Sequence, residues 1–268
     1  MPTRVPPSRF TRPSVGTVVL LVVVLGLLGH GWTQGAAIYP ESLATGVFRL
    51  GDFLADAIPP DFGRAGPILG ALLVTVQMAL LGTLVGVALS IPLAVCAANN
   101  TTPGRVGYVT ARGVITVCRT VPDLVWGLIF VIAVGLGPEA GVLAIAVDVM
   151  GFCGRFFAES IEEVAVGTVE SMRAVGGSGL SVLLGAVFPT CLPSFVTTAM
   201  FALESAARSS VVLGLVGAGG IGIELSVSMT LLRYDEALAI IMAIFVVVLG
   251  IERISVAIRR RILRADNG

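Results

Sequence analysis

The sequence predicts an all-α integral membrane protein with about six transmembrane helices. Of its 268 residues, 56% are hydrophobic and only 13% are charged, and the mean hydropathy is +0.97. Soluble proteins have about 25% charged residues. Apolar runs long enough to cross a bilayer alternate with short polar stretches. Six crossings with short loops leave no room for a separate soluble domain of ordinary size.

Composition also argues against several chemical functions. The net charge is zero, so nucleic-acid binding is not indicated. Every basic side chain is arginine, so the lysine of a phosphate-binding P-loop is missing and this chain cannot hydrolyse ATP in that way. Four single cysteines without CxxC spacing and one histidine favour neither a disulfide framework nor a metal site. We therefore predict no bound cofactor or metal and no catalytic residue.

The N-terminal region begins with a predicted cytoplasmic arm, residues 1–14, whose charges are all arginine. Residues 15–32 form an apolar run that ends at Trp32, and they are predicted to be the first transmembrane helix. A cleavable signal peptide has the same layout and remains an alternative.

The longest polar connection, residues 33–66, is predicted to lie on the outer side of the membrane. Within it, Glu41–Ile58 has apolar residues at helical spacing, which predicts a short interfacial helix that ends at Pro59 and Pro60. A loosely packed loop is the alternative.

Residues 67–258 are predicted to form the transmembrane domain. Its expected spans are Ile68–Ala98, Val109–Leu136, Ala140–Phe157, Leu180–Phe201 and Ala237–Val256, with a turn at Asn99–Arg105 after the first of them.

Orientation follows from the arginines, which concentrate on cytoplasmic loops. Arginine is concentrated in four regions: the N-terminal arm, the turn at Arg105, the region after the fourth span and the tail 259–268. Six spans then place both termini and the segment 164–178 in the cytoplasm, and residues 259–268 become a cytoplasmic basic tail.

The segment 164–178 is predicted to be a surface for a partner protein. Glu170, Met172 and Arg173 can form a short amphipathic helix, and Gly176 and Gly177 permit a sharp reversal after it. Such a helix can pack into a cleft of a partner and transmit movement. An ordinary cytoplasmic loop is the alternative.

The same segment resembles the cytoplasmic "EAA" signature of ATP-binding-cassette (ABC) importer permeases. Glu170-Ser171-Met172 stands for the triplet, Gly176 for the glycine and Phe188-Pro189 for the end of the signature. Ser171 and Met172 replace two alanines, and Ala186 replaces the usual isoleucine.

Two further segments resemble permeases of phosphonate, phosphate and phosphite importers. Arg119–Trp126, RTVPDLVW, is similar to their RTIPDLVWA segment, and the glycine-rich Val212–Gly222 is similar to a segment shared with methionine-type permeases. The resemblance covers residues 65–260.

The resemblance implies the type I ABC-importer permease fold, similar to methionine permeases, in a multi-pass protein of the bacterial inner membrane. It also implies two cytoplasmic ATP-binding subunits that use ATP and Mg, a second permease copy or paralogue, an extracytoplasmic substrate-binding protein and surrounding lipid. The residues expected to couple to the ATPase are Glu170, Ser171, Met172, Arg173, Gly176 and Gly177.

Charged residues and prolines inside the spans are candidates for the pore or its gate. They are Arg119, Pro122, Asp123, Pro189, Pro193, Glu204 and Arg208. Arg119 or Arg208 would offer positive charge to an anionic substrate. Alternatively, Arg119 with Asp123 and Glu204 with Arg208, each four residues apart, neutralise one another.

Gly217, Gly219, Gly220 and Gly222 are candidates for a tight turn at the outer pore. They fit the GxGxxG string of dinucleotide sites, but flanking spans exclude the βαβ unit that such a site requires. Small residues that permit close helix packing are an equally weighted interpretation.

Two other classes of protein remain as alternatives. A secondary transporter or channel would need no ATPase, but no convincing inverted repeat is present. An intramembrane enzyme would need several reactive side chains that converge on one site, and the single histidine of this sequence does not provide them.

Overall fold

The structure, a computed structural model, describes residues 14–35, 39–174 and 176–265. Every regular element in this part of the chain is helical, and the chain divides into two compact units, Met1–Asp56 and Ala57–Gly268. Five helices are long and apolar enough to cross a membrane, and a bent pair counted as one span makes six. The predicted all-helical fold with about six transmembrane helices is confirmed.

The first unit contains two helices. Helix α1, Val15–His30, has Ser14 at its N-cap, where the hydroxyl oxygen accepts a hydrogen bond from the backbone of Thr17 at 3.3 Å. A π-helical turn, Gly31–Gly35, follows, and helix α2 is Pro40–Ala57. Of the arm predicted over residues 1–14, only Ser14 lies within the described residues. The interfacial placement of α2 stays a prediction.

The second unit contains the remaining helices. They are α3 Ala65–Ala97, α4 Arg105–Thr120, α5 Asp123–Val134, α6 Pro138–Glu162, α7 Val166–Ala174, α8 Gly179–Val182, a π-helical segment Leu183–Val187, α9 Phe188–Leu215, α10 Ile221–Thr230 and α11 Tyr234–Ala265. Helix α3 confirms the predicted helix over Ile68–Ala98.

Helix α6 is the centre of this unit and packs against α3, α4, α5 and α9. Small residues permit the approach of α3: a β-carbon on Gly82 would lie 2.6 Å from Cγ2 of Ile145. Against α9, the rings of Phe157 and Phe195 stack with centroids 4.1 Å apart. Without a strong hydrophobic driving force between helices in lipid, such close packing is what holds membrane helices together.

One end of the second unit is held by an ion cluster. Arg64, before α3, contacts Glu224 of α10 at 3.2 Å and Glu236 of α11 at 3.4 Å. Glu236 also contacts Arg233 at 3.2 Å. The cluster joins the start of α3 to the connection between α10 and α11.

A second polar network holds the opposite end. The backbone N–H of Asn99 donates to Glu162 at 2.8 Å, and Arg112 contacts the same carboxylate at 2.9 Å. The side-chain amide of Asn100 donates to the carbonyl of Ile161 at 2.7 Å. The turn after α3, the start of α4 and the end of α6 therefore meet at one end of the unit, from which α7 follows. Which end faces the cytoplasm stays a prediction.

The third predicted span, Val109–Leu136, is a broken one and consists of two helices. Helices α4 and α5 meet at a bend of 95°. Pro122 has no N–H to donate, and a proline disfavours helical geometry in the residue before it. Val121 accordingly has an extended backbone, with φ −83° and ψ 122°.

Two helices extend beyond their predicted ends. Helix α9 continues from the predicted end at Phe201 to Leu215, so Glu204 and Arg208 lie within it. Helix α11 continues to Ala265, so the first part of the predicted basic tail is helical, whereas residues 266–268 lie outside the described residues. Helix α10 was not predicted.

Candidate functional site

The predicted partner-facing segment, 164–178, contains the short helix α7. Helix α7 follows α6 after the connection 163–165. Glu170, Ser171 and Arg173 are exposed on α7, whereas Met172 is partly buried. The helix therefore has a polar face that is exposed in the described unit.

The end of α7 is set by the two predicted glycines. The N–H of Gly177 donates to the carbonyl of Met172, and the N–H of Gly176 donates to that of Arg173, both at 3.0 Å. These two bonds are the Schellman motif, whose penultimate position requires a left-handed backbone. Gly176 has φ +83°. The reversal predicted from the sequence is thus present, and Val175 between the helix and the turn lies outside the described residues.

Met172 anchors α7 to the π-helical segment. A β-carbon on Gly185 would lie 2.9 Å from the Met172 methyl group. Glycine at position 185 therefore leaves room for the Met172 side chain. Val169 packs on the same core. A cavity of about 380 Å³ adjoins this contact, and Arg173, Asn100 and Leu180 are among its lining residues.

The predicted gating prolines follow directly after this contact. The π-helical segment ends at Val187, and Pro189 lies in the first turn of α9. Pro193 lies inside α9, and neither proline can donate a backbone hydrogen bond. The first part of α9 therefore has a reduced backbone hydrogen-bond ladder.

At the bend between α4 and α5, Pro122 and Asp123 have local structural roles. The carboxylate of Asp123 accepts the N–H of Leu124 at 2.8 Å at the start of α5, where the helix dipole favours negative charge. The indole N–H of Trp126 donates to the carbonyl of Cys118 at 3.4 Å and so spans the bend. Arg119 and Asp123 do not form an ion pair in the described structure, so the alternative in which these two side chains pair is wrong.

Sequence reasoning missed a cavity with three arginines. Arg112, Arg119 and Arg155 line a volume of about 390 Å³ beside α4, together with Ile115 and two threonines. Arg155 contacts Glu159 at 2.7 Å, which confirms the predicted proximity of these two side chains on one helix face. The sequence signal was the spacing of Arg112 and Arg119, which places both on one side of a helix.

Glu204 is paired with a residue that sequence reasoning did not connect to it. Its side chain is buried, and its carboxylate contacts Arg259 of α11 at 2.5 Å. The guanidinium of Arg259 also lies 5.9 Å from the ring centre of Phe201. The predicted pairing of Glu204 with Arg208 is wrong, because Arg208 is exposed and forms no ion pair with the described residues.

The glycine-rich segment forms the connection between α9 and α10. Gly217, Gly219 and Gly220 have φ of +88°, +90° and +74°. The carbonyl of Gly217 accepts the N–H of Gly137 at 3.1 Å, and a β-carbon on Gly222 would collide with the carbonyl oxygen of Val211. Close packing is therefore established for this segment, whereas a gating role stays a prediction.

The described residues contain no group of three or more histidine, cysteine or acidic side chains that could hold a metal ion. All four cysteines are free. The arrangement consists of an exposed, anchored helix at one end of a helical membrane unit, a proline-containing helix behind it and a cavity with arginine side chains. These features are those of a polytopic helical membrane protein.

Comparison with known proteins identifies the family. Residues 90–264 match the family model described as "Binding-protein-dependent transport system inner membrane component". The chain belongs to this family and is a multi-pass permease of the bacterial inner membrane.

Several relatives are named as permease proteins of phosphate, phosphite or phosphonate transport. The chain is 39% identical over 227 residues to the phosphate-import permease protein PhnE of Mycolicibacterium smegmatis, covering 84% of this chain and 43% of that protein. It is 38% identical over 245 residues to the phosphite transport system permease protein PtxC of Stutzerimonas stutzeri, covering 91% of this chain and 86% of that protein. It is also 39% identical over 142 residues to an Escherichia coli protein named as a cryptic phosphonate transport permease, PhnE1, covering 53% and 66%.

The fold agrees with that of a solved ABC importer. The permease chain of the MetNI methionine ABC transporter in an inward-facing conformation superposes with a TM-score of 0.63 at 19% identity, covering 74% of this chain and 98% of that chain. The predicted methionine-permease-like fold is confirmed.

Proposed function

We propose that the chain is the permease subunit of an ATP-driven importer for phosphonate or a related phosphorus oxyanion, phosphate or phosphite. The substrate class is supported by the names of relatives that are 38–39% identical. The observation that favours an ATP-driven importer is helix α7, whose polar face is exposed and whose end is fixed by a Schellman motif at Gly176.

Two cytoplasmic ATP-binding subunits would bind this chain and its second permease copy or paralogue. On this chain the contact residues are Glu170, Ser171, Met172, Arg173, Gly176 and Gly177. ATP and Mg are used in the partner subunits, and this chain is not catalytic and binds no cofactor of its own.

The packing around α7 suggests how ATPase movement reaches the membrane. Met172 contacts the π-helical segment at Gly185, four residues before Pro189. A displacement of α7 would therefore act on the start of α9, where Pro189 and Pro193 interrupt the hydrogen-bond ladder. Bending there would change the path between the two permeases.

The opposite end of the second unit would face outward and receive substrate from an extracytoplasmic binding protein. There the glycine-rich connection between α9 and α10 packs against the start of α6 through Gly217 and Gly137. With both termini cytoplasmic, Gly217–Gly222 would line the outer gate, and Arg119, Pro122, Asp123, Glu204 and Arg208 would lie along the spans.

Uptake into proteoliposomes tests this function. The chain is reconstituted with its ATP-binding subunits, and binding protein loaded with labelled methylphosphonate, phosphate or phosphite is added outside. We expect uptake of at least one of these anions only when ATP and Mg are enclosed with the ATPase. Equal uptake without ATP would instead identify a secondary transporter or channel and would contradict the proposal.

A further inference from the structure

Three arginine side chains line one open cavity next to α4, and no carboxylate of a described residue is among its lining residues. Arg112 and Arg119 come from α4 and Arg155 from α6, and the cavity has a volume of about 390 Å³. A tetrahedral phosphorus oxyanion is far smaller than this volume, so it could enter with part of its hydration shell.

Close packing of α4 on α6 places the arginines around one space. A β-carbon on Gly151 of α6 would lie 2.7 Å from Cβ of Cys118 and 3.1 Å from Cγ of Arg119. The missing side chain at Gly151 therefore lets the stem of Arg119 lie against α6. One turn further along α6 is Arg155, whose side chain reaches the same cavity.

The three guanidinium groups differ in how many of their N–H groups are already used. Arg112 donates to the carbonyl of Ala97 and to Glu162, both at 2.9 Å. Arg155 donates through Nε to Glu159 at 2.7 Å, so its terminal nitrogens have no partner among the described residues. Arg119 has no hydrogen bond or ion pair with any described residue, although its side chain has five N–H donors.

The hydroxyl groups of the cavity cannot replace these donors. Thr116 donates to the carbonyl of Arg112 and Thr120 to that of Thr116, each at 2.8 Å. The cavity therefore offers charged donors to an anion and little to a neutral solute. Arginine's planar fork matches the geometry of two oxygens on one phosphorus atom.

We propose that Arg119, supported by the terminal nitrogens of Arg155, binds the phosphorus oxyanion during its passage through this permease. The ligand class rests on the proposed function. Arg112 is a positioning residue, because its donors already hold the turn after α3 and the end of α6.

The phosphate of an anionic lipid headgroup has the same chemistry as the transported anion and could occupy this cavity. A second competing account is that Arg119 serves only to compensate Asp148, which lies on α6 one turn before Gly151 and whose charge interacts with Arg119. No ion pair joins these two side chains in the described structure. Each of these two accounts predicts a different outcome in binding experiments than oxyanion binding by Arg119 does.

Direct binding measurements separate these accounts. The purified full-length chain, in a phosphate-free maltoside detergent, is dialysed to equilibrium against labelled methylphosphonate. We expect Arg119→Gln to weaken binding by about tenfold or more, since charge-assisted hydrogen bonds are lost. Arg119→Lys should retain part of the affinity, because it preserves the charge. Arg105→Gln, on the same helix but outside the cavity, should bind like the wild-type chain.

Asp148→Asn provides the decisive comparison. If Arg119 binds the anion, Asp148→Asn strengthens or preserves binding, and the double variant with Arg119→Gln remains weak. Restoration of wild-type binding in the double variant would overturn the proposal. So would equal binding by wild type and Arg119→Gln, or binding of added phosphatidylglycerol through Arg119 without any binding of methylphosphonate.

The transport assay shows whether a failure concerns this site or the proposed function. Arg119→Gln should lower the amount of oxyanion taken up per ATP hydrolysed, while ATP hydrolysis and subunit assembly persist. Normal uptake and normal binding in Arg119→Gln would overturn the site alone. Absence of ATP-driven uptake by the wild-type complex, with Arg119-dependent binding intact, would overturn the proposed function and leave the site in place.

Discussion

The glycine-rich connection between α9 and α10 is anchored by one hydrogen bond from α3, and this bond permits a quantitative test of the packing. The hydroxyl of Thr75 donates to the carbonyl of Ala71 at 2.9 Å and accepts the N–H of Ile221 at 2.8 Å. Thr75 is 4% exposed and Ile221 is fully buried. Water therefore cannot replace the hydroxyl if it is removed.

Thr75→Val preserves the shape of the side chain and leaves the N–H of Ile221 without an acceptor. A buried unsatisfied donor costs about 1–3 kcal/mol. For a protein of this size each kcal/mol lowers Tm by about 2–4 °C. Thermal unfolding of the purified chain in detergent, followed by tryptophan fluorescence, measures the shift.

Thr83 is the matched control on the same helix. It is also buried, at 6% exposure, but its hydroxyl oxygen has no hydrogen-bond partner among the described residues. Thr83→Val therefore removes an unsatisfied polar group, and Tm should stay unchanged or rise. A loss of Tm in Thr83→Val equal to that in Thr75→Val would refute the assignment of the effect to the Ile221 hydrogen bond.

Two further predictions concern α9 with α11 and the end of α7. Arg259→Gln leaves the buried carboxylate of Glu204 unpaired and should lower the free energy of unfolding by about 3 kcal/mol. The double variant with Glu204→Gln should recover most of the lost Tm. An additive loss of Tm in the double variant would argue against the ion pair. Gly176→Ala forces a non-glycine residue into a left-handed backbone at a cost of about 1–2 kcal/mol, so hydrogen exchange in α7 should accelerate. Gly167→Ala is the control, because its new β-carbon meets no neighbour. It should slow hydrogen exchange in α7 or leave it unchanged. Equal exchange in both glycine variants would count against the Schellman motif.

Local sequence patterns predicted the helices well, because the length of an apolar segment and the turn residues that end it are both read from neighbouring residues. The reversal at Gly176 is of this kind, since the Schellman motif is closed by backbone bonds within six residues. The bend at Pro122 had a local signal as well. The largely apolar length of Val109–Leu136 outweighed it, although a proline disfavours helical geometry in the residue before it.

Local sequence patterns did not predict the tertiary contacts. Glu204 and Arg208 satisfy the i, i+4 rule, but Glu204 contacts Arg259, which is 55 residues away in the sequence. The arginine cavity likewise depends on how closely Gly151 lets α4 approach α6, and a single sequence does not specify which helices are neighbours. The family resemblance predicted the fold but not these contacts.

In the proposed function, α7 couples ATP hydrolysis by partner subunits to oxyanion uptake. The most direct measurement is the number of oxyanions taken up per ATP hydrolysed in proteoliposomes for wild type, Glu170→Arg and Glu163→Arg. Glu163 is the control because it is exposed before α7 and its side chain forms no hydrogen bond with the described residues.

We predict that Glu170→Arg inserts into the membrane normally but has a ratio near zero, because charge reversal disrupts the contact with the ATP-binding subunit. Glu163→Arg should keep the wild-type ratio. A wild-type ratio in Glu170→Arg would contradict the assignment of α7 as the coupling helix.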